Sequence, residues 1–277
     1  MNIKNLTIII TTIKSENKIH SCLDSIPKDI EVLVIENSEN MSFKTDLESK
    51  YLNVKCFLTG DNIGYAAANN IGLSKVNSKY ALILNPDTKI GPDGITNFLV
   101  RANQNPEFWL IGPAQQTNKK NITKDKNLIE ANNIKGFAIF FNMEKFGNRF
   151  FDDNFFLYFE EIDLCNQIRL KKGNIYIDLD IKIHHEGAGS VDQAYKIELE
   201  KNRNWHWMWS SFYFHKKYKG FFLAFIIIFP KLISSFFKTF FYLLTFNKNS
   251  RDIYFCRLSG IFNSIIGKKS WYRPTLD

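Results

Sequence analysis

The most constraining stretch of this sequence is its opening run, Leu6-Thr7-Ile8-Ile9-Ile10-Thr11-Thr12. β-Branched side chains at nearly every position suit a pleated strand, and a strand with no polar alternation is one covered on both faces. That places it at the centre of a parallel sheet with helices on each side. The run is too short for a signal peptide, and two threonines end it. The pattern then recurs. Residues 15–26 carry Ile19, Cys22, Leu23 and Ile26 at helical spacing and stop at Pro27. Residues 30–35, 53–58 and 80–84 read as strands, and 65–76 as a helix rich in Ala and Asn. The order strand, helix, strand, strand, helix, strand predicts an α/β fold with a largely parallel sheet.

Three of these strands run out into an acidic residue: Glu36, Asp61 and Asp87. One Asp in a turn is ordinary. Three at strand ends point to a site, because ligands of open α/β sheets gather beyond the carboxyl ends of the strands. Further on, the spacing predicts a helix over 94–103, a strand over 109–113, a polar surface loop over 115–127 and a strand over 136–142, with a short helical start at Met143. The aromatic run 155–159 then leads into Glu160-Glu161-Ile162-Asp163, which opens a helix reaching Gly173. Carboxylates in a first turn are favoured by the helix dipole. Behind buried aromatics a carboxylate is also desolvated and tuned towards proton abstraction. A strand over 175–183 closes on His184-His185-Glu186-Gly187-Ala188-Gly189-Ser190. Those histidines are either metal or phosphate ligands or plain loop residues.

Charge is unevenly spread. From Lys201 to Asp277 there are 13 basic and 2 acidic residues, leaving 23 against 26 for the first 200. The same 77 residues hold 22 of the 42 aromatics. A basic, aromatic tail suits an anionic surface, and the bulky apolar runs around its cations favour a membrane over nucleic acid. The apolar pieces 221–229 and 232–246 are separated by Pro230-Lys231, and neither alone reaches the roughly 20 residues of a spanning helix. The expectation is helices lying in the interface. The alternative is a helical subdomain or an oligomer interface. Four dispersed cysteines without a CxxC pair argue against a zinc site and a disulfide scaffold.

Several segments resemble one family in their order. Glu36-Asn37-Ser38 stands where that family usually has Asp-Asn-Ser. Asp61-Asn62-Ile63-Gly64-Tyr65-Ala66-Ala67-Ala68-Asn69-Asn70-Ile71-Gly72 resembles its Asn-x-Gly-Phe/Tyr-x-x-x-Asn-Asn-x-Gly signature. Leu84-Asn85-Pro86-Asp87-Thr88 resembles its metal motif with Asn in the first acidic place. Tyr158-Phe159-Glu160-Glu161-Ile162-Asp163-Leu164 resembles its Tyr-x-Glu-Asp-x-Asp segment, and His184-His185 with Gly187, Gly189 and Ser190 its His-x-x-Gly-x-Ser close. Over residues 5–200 the chain resembles a family 2 glycosyltransferase of the GT-A fold, in the bacterial rhamnosyltransferase-like branch.

That resemblance implies a GT-A catalytic domain over 1–200; the charge and aromatic pattern leaves 201–277 as a basic helical region expected to associate with a membrane. The resemblance also implies inverting transfer of a sugar from a nucleotide diphosphate donor, dTDP-rhamnose in this branch, to a lipid-linked or oligosaccharide acceptor in surface polysaccharide assembly. The place of work would be the cytoplasmic face of the membrane, as a peripheral protein. Glu161 would be the base, with Asp163 or Glu160 orienting the acceptor. Thr11, Glu36, Asn37, Asp61, Asn62, Gly64, Asn69, Asn85 and Asp87 would surround the donor. A divalent cation, Mn or Mg, would sit on Asp87 with His185 or His184, the imidazole favouring Mn. Two readings compete: another nucleotide-sugar enzyme such as a nucleotidyltransferase, and a binding protein that kept the fold. The first needs a Gly- and Lys/Arg-rich loop after the first strand, where residues 11–20 offer Lys14, Lys18 and no glycine.

Overall fold

The computed structural model describes residues 3–114, 127–185 and 196–273. The chain divides into two compact units: Met1–Asp152 with Glu161–Ser190, and Asp153–Glu160 with Val191–Asp277.

The first unit is built on β1 (Leu6–Thr12), α1 (Glu16–Asp24), β2 (Glu31–Glu36), α2 (Met41–Lys50), β3 (Val54–Leu58), α3 (Tyr65–Ser74), β4 (Tyr80–Leu84), β5 (Thr88–Ile90), α4 (Pro92–Gln104), β6 (Phe108–Pro113), β7 (Leu128–Glu130), β8 (Ala138–Asn142), α5 (Glu160–Leu170), β9 (Asn174–Asp178) and β10 (Ile183–His185). Eight strands form one sheet in the order β3-β2-β1-β4-β8-β6-β9-β7, and β10 pairs with β5 as a separate ribbon. β1 to β4 are mutually parallel, β8 and β7 antiparallel to their neighbours. This is a Rossmann-like mixed sheet of GT-A type.

The opening run occupies the centre, as its composition requires. Ile8 and Ile10 face one apolar layer with Val32, Val34, Leu82 and Phe140; Ile9 faces the other with Ile35, Ile83 and Phe141. α3 lies on the second layer at close range. A Cβ on Gly72 would stand 2.6 Å from Ile9 Cγ2, so the glycine of the Asn-Asn-x-Gly signature is where the helix meets the sheet. Pairing explains one departure from the sequence reading. The strand expected over 175–183 is cut in two, because the buried Asp178 carboxylate turns inward to Arg101 Nε at 2.6 Å and accepts from the Asp180 amide at 2.9 Å.

The second unit is helical. α6 (Lys196–Leu244) is broken at Gly220, whose φ of 77° and ψ of 170° are not helical, and α7 (Lys248–Ile265) follows. The break expected at Pro230 is absent; the helix runs through that proline, and the interruption lies ten residues earlier. Met208, Phe212, Ala224, Ile228 and Ile261 form one small core, Trp205, Trp209 and Cys256 another. At Gly260 a Cβ would overlap the Trp205 carbonyl oxygen, so α7 packs there backbone to backbone. His206 is buried, with its ring nitrogens against Tyr272 O at 2.8 Å and Ser270 Oγ at 2.9 Å. On residues 221–244 the buried Ala224, Ile228 and Ser235 share one face. Phe222, Ile226, Phe229, Ile233, Phe236, Phe237, Phe240 and Leu244 are exposed along another. By length and composition, α6 is apolar enough to cross a membrane, with an 18-residue window of mean hydropathy 2.0.

Candidate active site

β1, β2 and β4 end side by side: Thr12 is in register with Glu36, and Ile10 with Leu84. Around these ends lie the predicted donor residues. Glu36 is 2% exposed, and burial pushes its carboxyl up to about 7, against a short bond from Ser38 Oγ at 2.5 Å that favours the ionised form. Thr11 Oγ1 and Thr12 Oγ1 are buried with no hydrogen-bond partner. A buried hydroxyl without a partner costs about 1–3 kcal/mol, which a bound ligand can relieve.

Asn37 is spent inside the protein. Its Nδ2 donates to Asn62 Oδ1 at 3.1 Å and to Gly64 O at 3.3 Å, while its Oδ1 accepts from the Ile63 amide at 3.0 Å and Thr59 Oγ1 at 3.2 Å. One amide therefore holds the loop into α3, which turns at Gly60 and Gly64 with φ of 85° and 91°. Asp61 is exposed on that loop. Asn69 is buried in α3 and donates to Tyr65 O at 2.9 Å; its Oδ1 has no partner.

Asn85-Pro86-Asp87-Thr88 turns the chain out of β4, closed by the Thr88 amide on Asn85 O at 3.1 Å. Asp87 is buried, and its Oδ1 stands 3.3 Å from His185 Nε2. The short ribbon creates that contact, placing His185 opposite Thr88 and His184 opposite Lys89. Successive strand residues point to opposite faces, so His185 turns to Asp87 and His184 away. His185 also stacks on Phe137, centroids 4.8 Å apart and planes 9° off parallel. Gly187, Gly189 and Ser190 lie outside the described residues.

α5 supplies the acids. Tyr158 and Phe159, just before it, have φ of 68° and 71°, a left-handed pair costly for aromatic residues and typical of functional sites. Burial raises the Glu161 carboxyl above its ordinary range, with the Lys135 ammonium opposing; Glu161 Oε2 is buried without a hydrogen-bond partner. Glu160 is buried, and Asp163, fully buried, accepts from Gln167 Nε2 at 2.6 Å. Lys135 and Phe137 lie two residues apart, so this one segment reaches Glu161 with its charge and His185 with its ring.

Two contributors, Lys135 and Phe137, carried no sequence signal of their own. Tyr65 belongs to the signature, and the structure gives its purpose: its hydroxyl donates to Gly136 O at 2.6 Å and pins that segment. Asn70 does likewise for Phe151, donating to its carbonyl at 2.9 Å and accepting its amide at 3.0 Å.

The sequence profile of Glycosyl transferase family 2 matches residues 7–165, more than half of the chain and every element of this site except β10. The chain belongs to glycosyl transferase family 2. The low-salt glycan biosynthesis hexosyltransferase Agl10 of Haloferax volcanii is 25% identical over 199 residues, which cover 62% of this chain and 64% of that one. Among solved structures, the mannosyltransferase PcManGT of Pyrobaculum calidifontis, in complex with GDP-Man and Mn2+, overlays with a TM-score of 0.60 at 12% identity, over 96% of this chain and 88% of that one. TarS of S. aureus overlays at 0.54 and 13%, over 97% and 93%. At such identities the two structures speak for the fold.

The family fold implies a divalent cation, and the donor set can be tested against one. Asp87 and His185 bring an oxygen and an imidazole nitrogen to within 3.3 Å of each other; the carboxylate suits Mn or Mg and the imidazole favours Mn. No group of three or more His, Cys, Asp or Glu gathers into a metal cage among the described residues. The pair thus fits a cation held by few protein ligands and completed by substrate phosphate oxygens and water.

Proposed function

We propose that this chain is an inverting glycosyltransferase. It moves a sugar from a nucleotide diphosphate donor to a hydroxyl of a lipid-linked saccharide during surface polysaccharide assembly. The donor is dTDP-rhamnose, and the protein works at the cytoplasmic face of the membrane. Residues 1–200 form the catalytic domain and 201–277 the membrane-associating region. The observation that carries the reading is the Asp87–His185 pair at the end of β4. Family membership supports sugar transfer. The hexosyltransferase name of the Haloferax relative supports a hexose as the group transferred, and the GDP-Man held by the mannosyltransferase supports a nucleotide-sugar donor. The choice of rhamnose rests on the likeness of residues 36–38, 61–72 and 84–88.

In this reading Thr11, Thr12 and Glu36 meet the nucleoside. Near neutral pH a part of Glu36 keeps its proton and donates a hydrogen bond through it to a carbonyl of the base. Asp87 and His185 would hold the cation, which when bound neutralises diphosphate charge. Glu161 accepts the acceptor hydroxyl proton, its raised basicity matching that task. The acceptor oxygen bonds to the anomeric carbon, the bond to the diphosphate oxygen breaks, and its electron pair leaves with the nucleotide. A single displacement inverts the carbon. Asn37 and Asn62 keep the donor loop in place, and Asp163 and Glu160 position the acceptor side.

The test is a screen of labelled nucleotide sugars with a polyisoprenyl diphosphate saccharide, with and without Mn. Transfer from dTDP-rhamnose alone is expected. Transfer from another donor corrects the sugar. Donor binding without any turnover by folded protein overturns the enzymatic reading in favour of a binding protein.

A further inference from the structure

The helical unit contains a cavity of about 290 Å³ lined by Tyr158, Glu200, Arg203, Asn204, Trp207 and Arg257. Glu200, Arg203, Asn204 and Trp207 follow one another at helical spacing on the first half of α6, and Arg257 reaches in from α7. Tyr158 and Trp207 form an aromatic wall, edge to face at 5.2 Å.

The polar groups of the wall are held by one another. Asn204 Nδ2 donates to Glu200 Oε1 at 2.8 Å and to Glu200 O at 2.9 Å, so the one carboxylate in the wall is engaged. Asn204 Oδ1 accepts from Arg257 Nη1 at 3.1 Å, which fixes the guanidinium. Arg257 Nε remains buried with no hydrogen-bond partner. Among the described residues neither Arg203 nor Arg257 forms an ion pair, and neither does Lys231, whose ammonium is disfavoured by burial and by Arg257. His215 is in turn held towards neutrality by burial and by Lys219 and Lys231. The two arginines of the wall thus outnumber its one carboxylate, Glu200, and a fixed arginine fork suits phosphate oxygens. The volume lies at the small end for ligand pockets, which fits an anionic group rather than a glycan.

We propose that this pocket binds the phosphate or diphosphate group of a lipid, with Arg203 and Arg257 as its ligands and Tyr158 and Trp207 as its wall. The source is a lipid because Lys231, next to Arg257, belongs to the helix that carries the exposed stripe from Phe222 to Leu244. A cation cluster continuous with such a stripe is placed where lipid headgroups meet hydrocarbon. The site rests on the reading that the stripe contacts a membrane. None of its lining residues is among those proposed to meet the donor.

Flotation with three kinds of vesicle tests it: phosphatidylcholine alone, the same with a polyisoprenyl diphosphate, and the same with phosphatidylglycerol at equal charge. The full chain should bind all three and prefer the diphosphate lipid over both others by about tenfold, as one or two charge-assisted bonds provide. Arg257→Gln and Arg203→Gln should each reduce binding to the level of the other vesicles while phosphatidylcholine binding stays. Arg203 is half-buried at the wall, so its variant decides the matter if Arg257→Gln fails to fold. Equal binding to both anionic vesicles, or variants that keep the preference, overturns the pocket. Full competition by soluble inorganic diphosphate overturns the lipid source. Absence of binding to phosphatidylcholine alone overturns the membrane contact itself, a failure distinct from loss of the preference.

Discussion

His185 Nε2 faces Asp87 Oδ1 at 3.3 Å, a contact made by two strands of three residues each that belong to no larger sheet. The pair joins residues almost a hundred positions apart, and the stacked Phe137 ring fixes the imidazole plane. Asp87→Asn should lower turnover by about 10²–10³-fold, as loss of a principal electrostatic contact at developing charge does. His185→Ala should have a smaller effect and raise the Mn concentration needed for half-maximal rate. Steady-state rates across a Mn titration check both.

Glu161→Gln should lower kcat by about 10²–10⁴-fold with little change in donor KM. The wild-type rate should rise with pH through an apparent pKa above the ordinary glutamate range, since the carboxyl is raised and must be ionised to act. That limb should vanish from the residual rate of the variant. A pH–rate profile of both proteins checks it.

Gly72→Ala should destabilise the first unit by about 1–3 kcal/mol, because the new methyl must displace Ile9 at the tightest point between α3 and the sheet. Thermal melting of the variant beside the wild type measures this.

Stability should respond to pH from both sides. Glu36 has a folded pKa of about 7, above its unfolded value, so its contribution is full below about 4.5 and is lost as pH rises through 7. His206 has a folded pKa of about 3, below its unfolded value, so its contribution is full above about 6.5 and is lost as pH falls towards 3. Glu36→Gln should flatten the decline above pH 4.5, and His206→Phe the decline on the acid side. Denaturant midpoints across pH check each slope separately.

The legible part of the sequence was the part written in local pattern. Leu6–Thr12 and Tyr80–Leu84 match their expected bounds because β-branched runs and turn residues mark both ends. The helix Met41–Lys50 escaped because it buries only Phe43 and Leu47, too few to print a stripe, although Asn40 caps it through the Phe43 amide. The ribbon of β5 and β10 escaped because three-residue strands carry no period and are defined by a distant partner. Around the site, the acids were visible at strand and helix ends. What holds them was not: Lys135 beside Glu161 and Phe137 beneath His185 are conveyed by packing alone. Asn37 was expected to meet the donor, and its four bonds instead spend its amide on the loop into α3.

The return of α7 along the second half of α6 has a last consequence for how the chain would enter a lipid layer. Tyr242 stacks on Tyr254 and Ile228 packs with Ile261, so α7 runs back along the apolar half of α6. The way out and the way back are thus neighbours, and the polar bend Asn247-Lys248-Asn249 between them stays wet if the pair lies flat. Such a wedge would crowd one leaflet only, expanding its headgroup area, and it would dock after synthesis with no hydrophilic stretch ever carried through the hydrocarbon.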